Sequence, residues 1–195
     1  MQKKYKQQYF SFYTTTQVVC PRCGEDALVK NENYGKEASL ECRHCSFRKS
    51  GSELVVYKAF IRLHCPACSH PIRYEQGNLK EKPKNITVRC DECDSSFQVR
   101  PKTEKYMDSY AKETGLIHDP VFGCPYYFQE DFKGKLFWAR NTEHLLEMEN
   151  YISSGLRTRL PYRMYMVERL PTFIKEAKNR ETFLKILQKW KNLSK

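Results

Sequence analysis

The chain's hydrophobic pattern changes character along its length. Through the first hundred residues, apolar positions come in short β-rich runs separated by turn residues, as in Ser39-Leu-Glu-Cys42, Glu53-Leu-Val-Val-Tyr-Lys-Ala-Phe-Ile-Arg-Leu63 and Ile86-Thr-Val-Arg-Cys90. Runs of β-branched and aromatic residues bounded by Gly, Pro, Asn or Ser predict strands. Residues 1–19 start with lysines between tyrosines (Lys3, Lys4, Lys6, Tyr5, Tyr9) and continue through Phe10, Phe12 and Tyr13 into three threonines. This stretch reads either as a first strand with a frayed basic start or as a basic aromatic arm. Asn31 to Gly35 and Leu79 to Asn85 read as hairpin loops, the second rich in lysine. Residues 101–120 are polar and predict a connector with a short helix near Tyr106 to Thr114. Val121-Phe122 and Tyr126-Tyr-Phe128, a turn at Glu130 to Gly134, and Leu136-Phe-Trp-Ala139 predict a hairpin.

Beyond residue 140 the period becomes helical. Thr142 can cap a helix from Glu143 to Ser154, with Leu145, Leu146, Met148, Tyr151 and Ile152 as its apolar positions. Pro171 suits the first turn of a helical stretch. Asn179 can cap a last helix, in which Phe183, Leu184, Ile186, Leu187 and Trp190 form an apolar stripe at 3.6 spacing.

The cysteines explain how so β-rich and polar a front half can fold. Eight of the nine form four Cys-x-x-Cys pairs in two sets: Cys20, Cys23, Cys42 and Cys45, then Cys65, Cys68, Cys90 and Cys93. Eighteen residues separate Cys23 from Cys42, and twenty-one separate Cys68 from Cys90. A two-residue spacer lets one tight turn aim both sulfurs at one ion, and a second such turn completes a tetrahedron. From Cys20 to Cys65 the plan repeats after 45 residues, so the front half is an internal duplication. Units this small depend on metal for much of their folding free energy. Four sulfurs close the shell, so two structural Zn²⁺ ions are expected, although four thiolates also suit iron. His44, His64 and His70 flank the knuckles and are alternative ligands or surface residues. No secretory signal follows Met1 and no apolar run spans a membrane, so a reducing cytoplasm is expected, where free thiols rather than disulfides are the rule.

Charge points to an anionic partner. The formal net charge is +11. Eight thiolates and two divalent cations would bring it to about +7. Lys80, Lys82, Lys84 and Arg89 lie in the second unit. From Gly155 to Lys195, eleven Lys/Arg face three Glu, with Arg157, Arg159 and Arg163 interleaved with Tyr162 and Tyr165. Arginine forks hold phosphates and tyrosines stack on exposed bases, although a solvated helix face has the same composition. Cys124 stands alone in Phe122-Gly-Cys-Pro-Tyr126. It is read as a small buried hydrophobe, with a nucleophile served by His118 or His144, or a remnant third metal site, as alternatives. No phosphate loop, dinucleotide fingerprint or hydrolase motif is present, and no catalytic residue is expected.

Cys20-Pro-Arg-Cys-Gly24 with Cys42-Arg-His-Cys45 resembles the zinc-ribbon knuckles of transcription factors and RNA-polymerase subunits. Leu136-Phe-Trp-Ala-Arg-Asn-Thr-Glu-His-Leu145, Tyr151-Ile152, Leu156-Arg157 and Arg169-Leu-Pro171 to Ala177-Lys-Asn-Arg180 resemble bacterial zinc-ribbon-containing proteins whose C-terminal domain is uncharacterised. The resemblance implies a bacterial cytoplasmic protein and no particular activity.

Residues and resemblance together predict two tandem zinc ribbons followed by a small α+β domain with about three helices. The expected units are 1–50, 51–103 and 104–195. The expected function is non-enzymatic nucleic-acid binding through phosphates. The alternative is a protein-interaction module in a transcription, phage-defence or mobile-element complex.

Overall fold

The computed structural model describes residues 14–31, 37–154 and 170–193. The N-terminal arm, the tip of the first hairpin loop and the segment carrying Arg157, Arg159 and Arg163 lie outside the described residues.

Each cysteine pair is the turn of an antiparallel hairpin. Cys20 and Cys23 join β1 (Thr15–Val19) to β2 (Asp26–Lys30), and Cys42 and Cys45 join β3 (Ser39–Cys42) to β4 (Arg48–Ser50). Cys65 and Cys68 join β5 (Val55–His64) to β6 (Pro71–Leu79), and Cys90 and Cys93 join β7 (Ile86–Arg89) to β8 (Ser96–Val99). In ribbon 1, β2 also pairs with β3, so both hairpins form one sheet in the order β1-β2-β3-β4. In ribbon 2 the hairpins stay in separate sheets. β5 lies between β6 and β9 (Lys102–Met107), while β7 and β8 stand alone. Ribbon 2 closes instead around a small core of Ile61, Ile72, Val88 and the sulfurs of Cys65 and Cys90.

The connector departs from expectation. No helix forms near Tyr106 to Thr114. Residues 102–107 become β9 and take the free edge of β5, from Val55 against Met107 to Phe60 against Lys102. An open strand edge is a stronger local demand than the weak helical preference of this segment. β9 also runs across position 103, where a unit boundary was expected. Tyr106 fastens the far side of this sheet. Its hydroxyl donates to Asn78 Oδ1 at 2.6 Å and accepts the Asn78 N–H at 2.9 Å, beside the bulge in β6.

In the C-terminal region, β10 (Phe128–Phe132) and β11 (Lys135–Ala139) form a hairpin. Its two turn residues, Lys133 and Gly134, both have positive φ (55° and 76°), the primed turn that matches strand twist. Among the described residues three α-helices follow: α1 (Thr142–Ser153), α2 (Thr172–Lys175) and α3 (Arg180–Leu193). Phe132, Phe137, Phe183 and Trp190 interlock between hairpin and helices, with Phe137 stacked on Trp190 at 5.1 Å and Phe132 against Phe183 at 4.6 Å. Fully buried side chains of this size stabilise the fold by about 1.5–3 kcal/mol each.

The cap of α1 shifts by one residue from its expected place. Asn141, not Thr142, caps α1, its Oδ1 accepting the His144 N–H at 2.9 Å. The Thr142 hydroxyl is taken by Gln17 Oε1 at 2.7 Å. Asn179 is buried in a 3₁₀ turn before α3, and its amide donates to the Phe173 carbonyl and to Glu176. Pro171 sits at the N-cap of α2, one residue before its first turn.

Ribbon 1 and the C-terminal region are joined by backbone bonds. Val19 N–H donates to the Pro125 carbonyl, Gln17 N–H to Arg140 and Tyr127 N–H to Gln17, at 2.8, 2.8 and 3.0 Å. Val121, Phe122, Cys124 and Tyr126 enter the same core as Val18, Leu40 and the sulfurs of Cys20 and Cys42.

Candidate functional site

All four knuckles share one backbone. The N–H of each first cysteine donates to the carbonyl five residues on: Cys20 to Glu25, Cys42 to Phe47, Cys65 to His70 and Cys90 to Ser95, at 2.8, 2.8, 2.8 and 3.0 Å. The residue after each second cysteine has positive φ: Gly24 80°, Ser46 56°, Ser69 61° and Asp94 59°. Glycine meets that need without strain at position 24 only; the other three positions accept it in order to turn the backbone N–H groups toward sulfur. Arg22 N–H and Ala67 N–H each approach the first sulfur of their knuckle at 3.4 Å. The first cysteine of every knuckle is buried, and the second lies nearer solvent; Cys68 and Cys93 are exposed.

The sulfurs meet in two clusters. Cys20 and Cys45 are 3.7 Å apart and Cys23 and Cys42 3.6 Å. Cys65–Cys93 and Cys68–Cys90 are both 3.7 Å. Within each cluster all four sulfurs lie within 4.8 Å of one another. A zinc–sulfur bond of 2.3 Å gives a tetrahedron with edges of about 3.8 Å, so both clusters fit one zinc ion each. Among the described residues, no histidine joins either group. Without a cation, four crowded thiols ionise unevenly. The Ser95 hydroxyl and N–H hold Cys93 down to about 6. Cys68 is favoured by a backbone N–H at His70, yet desolvation and its neighbouring sulfurs push it up to about 12. A divalent cation turns that crowding into attraction, with the zinc acting as a structural cross-link.

A fifth loop repeats the knuckle backbone without the cysteines. In Asp119-Pro-Val-Phe-Gly123, the Asp119 N–H donates to the Cys124 carbonyl at 2.9 Å and the Gly123 N–H to the Asp119 carbonyl at 3.1 Å, with Gly123 φ at 72°. Gly24, Ser69 and Asp94 make the same return bond to their first cysteine. Asp119 stands where a first cysteine would and Phe122 where a second would. The buried carboxylate accepts the N–H groups of Val121, Phe122 and Cys124 at 3.0, 2.9 and 2.8 Å, taking the place of cysteine sulfur as the acceptor. A side chain at position 123 would run into the Ala111 backbone. The sequence reading missed this loop, although Asp-Pro-x-Phe-Gly aligned on Cys-Pro-x-Cys-Gly carries the signal.

Cys124 is accordingly a core residue. It is fully buried, and desolvation, reinforced by the charges of Asp119 and Cys20, pushes its thiol up to about 12. Among the described residues it belongs to no metal-ligand group. The two histidines considered as its base are engaged elsewhere. His144 Nδ1 accepts the Arg140 N–H at 3.1 Å, and His118 Nε2 lies 3.4 Å from the Thr114 hydroxyl.

Of the cations proposed for nucleic acid, Lys80, Lys82 and Lys84 sit exposed between β6 and β7, and among the described residues none makes an ion pair. Arg89 is held by Asp94 at 2.9 Å, both side chains largely exposed.

Comparison with known proteins adds one distant likeness. The chain is 27% identical over 156 residues to zinc finger and BTB domain-containing protein 41 of Mus musculus, an alignment covering 64% of this chain and 16% of that protein's length. No protein-family model matches, and no solved structure matches. With the two four-cysteine clusters, this likeness marks zinc-binding domains. Among the described residues, no helix is long and apolar enough to cross a membrane.

Proposed function

We propose that the chain is a non-enzymatic zinc-ribbon protein of the reducing cytoplasm that binds nucleic acid mainly through phosphates. On this reading the eight paired cysteines ligate two zinc ions, and the units 1–50, 51–103 and 104–195 act as ribbon 1, ribbon 2 and a C-terminal domain. The bacterial resemblance of residues 136–180 belongs to the same reading. The observation that carries the proposal is the lysine loop. Lys80, Lys82 and Lys84 project from a metal-stiffened ribbon with no carboxylate engaging them among the described residues. Cations without internal partners are free to displace counterions from a phosphate backbone. Arg89, tied to Asp94, contributes less. Arg157, Arg159 and Arg163 extend the track by composition.

The test is an anisotropy titration of the zinc-loaded chain against single- and double-stranded DNA and RNA at two salt concentrations. Binding that falls steeply with salt is expected. The triple change Lys80→Glu, Lys82→Glu and Lys84→Glu should flatten the logarithmic salt slope by about 2 to 3. Failure of the zinc-loaded protein to bind any nucleic acid at low salt sinks the reading and leaves the protein-interaction module, for which one stoichiometric partner surviving nuclease treatment is the positive result.

A further inference from the structure

The sheet β6-β5-β9 has a face that the core of ribbon 2 does not use. Ile61, Leu63, Ile72 and Tyr74 pack into that core. Side chains alternate along a strand, so Lys58, Phe60 and Arg62 occupy the opposite face. The register adds their neighbours: Phe60 lies beside Glu75 on one side and Lys102 on the other, Arg62 beside Arg73, and Lys58 beside Glu104. A groove of about 450 Å³ runs here, with Phe60, Arg62, Arg100 and Lys102 among its walls.

Phe60 is the anomaly on this face. The solvent side of a one-face-packed antiparallel sheet is normally polar. Phe60 is half-buried, belongs to none of the three core clusters and, among the described residues, has no aromatic ring or cation against it. The charge around it is lopsided. Lys58, Arg62, Arg73, Arg100 and Lys102 face two carboxylates, Glu75 and Glu104, and Glu75 is already held by Lys58 at 2.6 Å. Among the described residues, Arg62, Arg73, Arg100 and Lys102 make no ion pair. An aromatic ring in the middle of uncompensated cations is the arrangement that single-stranded nucleic acid requires, a flat face for a base and cations for its phosphates. A duplex keeps its bases stacked on one another, so Phe60 has nothing to offer it. Arg62 stands about 7 Å along the strand from Phe60, and Lys102 about 5 Å across it.

We propose that this face binds single-stranded nucleic acid, with one base stacked on Phe60 and the flanking phosphates held by Arg62 and Arg73 on one side and by Arg100 and Lys102 on the other. The proposal rests on the nucleic-acid reading above and adds the strand type and the residues that select it.

The test uses the full zinc-loaded chain with labelled oligothymidylate, oligouridylate and a duplex. Phe60→Ala should weaken both single strands about 5- to 150-fold and leave the duplex nearly unchanged. Phe60→Trp should restore binding, and its fluorescence should be quenched when oligothymidylate is added. Phe60→Leu, which keeps apolar bulk but has no ring, should not rescue. The two single strands distinguish DNA from RNA. If the parent protein binds oligothymidylate and Phe60→Ala binds it equally well, the stacking face is wrong while nucleic-acid binding stands. Displacement of the oligonucleotide by polyglutamate as effectively as by unlabelled oligothymidylate overturns the proposal in favour of an acidic protein. No binding of any strand by the parent protein removes both readings.

Discussion

Ribbons 1 and 2 share a sequence plan and a knuckle geometry, yet they are held together differently. In ribbon 1 the pairing of β2 with β3 merges both hairpins into one sheet, and the Asp119 loop, Tyr126 and Gln17 link that sheet to the C-terminal core. In ribbon 2 the hairpins are separate, two of the four cysteines face solvent, and among the described residues no hydrogen bond joins 71–100 to 118–193. Between the two hairpins of ribbon 2, where no strand pairing joins them, metal carries more of the load. The ribbon embedded in the fold is therefore the structural base, and the ribbon whose two hairpins meet only through a small core and their sulfur cluster is the one free to present a surface.

The largest effect expected from this contrast is in the ligands. Cys42→Ser should unfold ribbon 1 and lower the melting temperature of the C-terminal region with it, because losing a structural zinc forfeits on the order of 10 kcal/mol of metal-linked folding energy. Cys90→Ser should melt ribbon 2 alone. Both tryptophans, Trp138 and Trp190, lie in the C-terminal half, so tryptophan fluorescence reads the difference directly. Equal fluorescence changes in the two variants would break the comparison. During chelation, zinc from the exposed second cluster should leave first, and the fast phase should be missing in Cys90→Ser.

A smaller effect is expected at the metal-free knuckle. Asp119→Ala strands three buried N–H groups, at a cost of roughly 3 kcal/mol or more by chemical denaturation. Asp119→Asn, which keeps one acceptor oxygen, should cost less. If alanine is tolerated, the loop does not fasten ribbon 1 to the C-terminal region.

A pH effect sharpens the same junction. His144 is buried, and that burial, aided by the Arg140 charge, holds its pKa down to about 4 against an ordinary 6.5. The folded state therefore binds fewer protons than the unfolded state between those values. The full stability contribution is present above pH 6.5 and is lost as pH falls toward 4, by about 3 kcal/mol in all. His144→Asn, which keeps an acceptor for the Arg140 N–H, should flatten this part of the stability profile. Zinc release, followed separately by a metal indicator, distinguishes this loss from acid stripping of the clusters. A parent protein with no sensitivity in that window would remove His144 as its cause.

Much of the site was legible because metal coordination is a local rule. Cys-Pro-x-Cys spacing brings two sulfurs together whatever the rest of the chain does, and the repeat after 45 residues shows which pairs cooperate. The β10–β11 hairpin and the stripe of α3 were legible for the same reason, since turn chemistry and a 3.6-residue period act over a few residues. The connector, the cap of α1 and the Asp119 loop that covers Cys124 were not. Tyr106 joins a strand because β5 has a free edge, and Thr142 yields its capping role because Gln17, 125 residues earlier, takes its hydroxyl. Cys124 is buried because a carboxylate five residues before it imitates a knuckle and packs beneath ribbon 1.

By itself, then, the sequence determined the two four-sulfur centres, the order of ribbons and helices, and the excess of positive charge. Only the tertiary structure decided which ribbon is anchored, where the aromatic and cationic side chains of β5, β6 and β9 meet, and what covers each cysteine. The physical reason is range. Ligand spacing and helical period are written within single segments, whereas strand edges, buried carboxylates and surface patches exist only once segments distant in the chain are brought into contact.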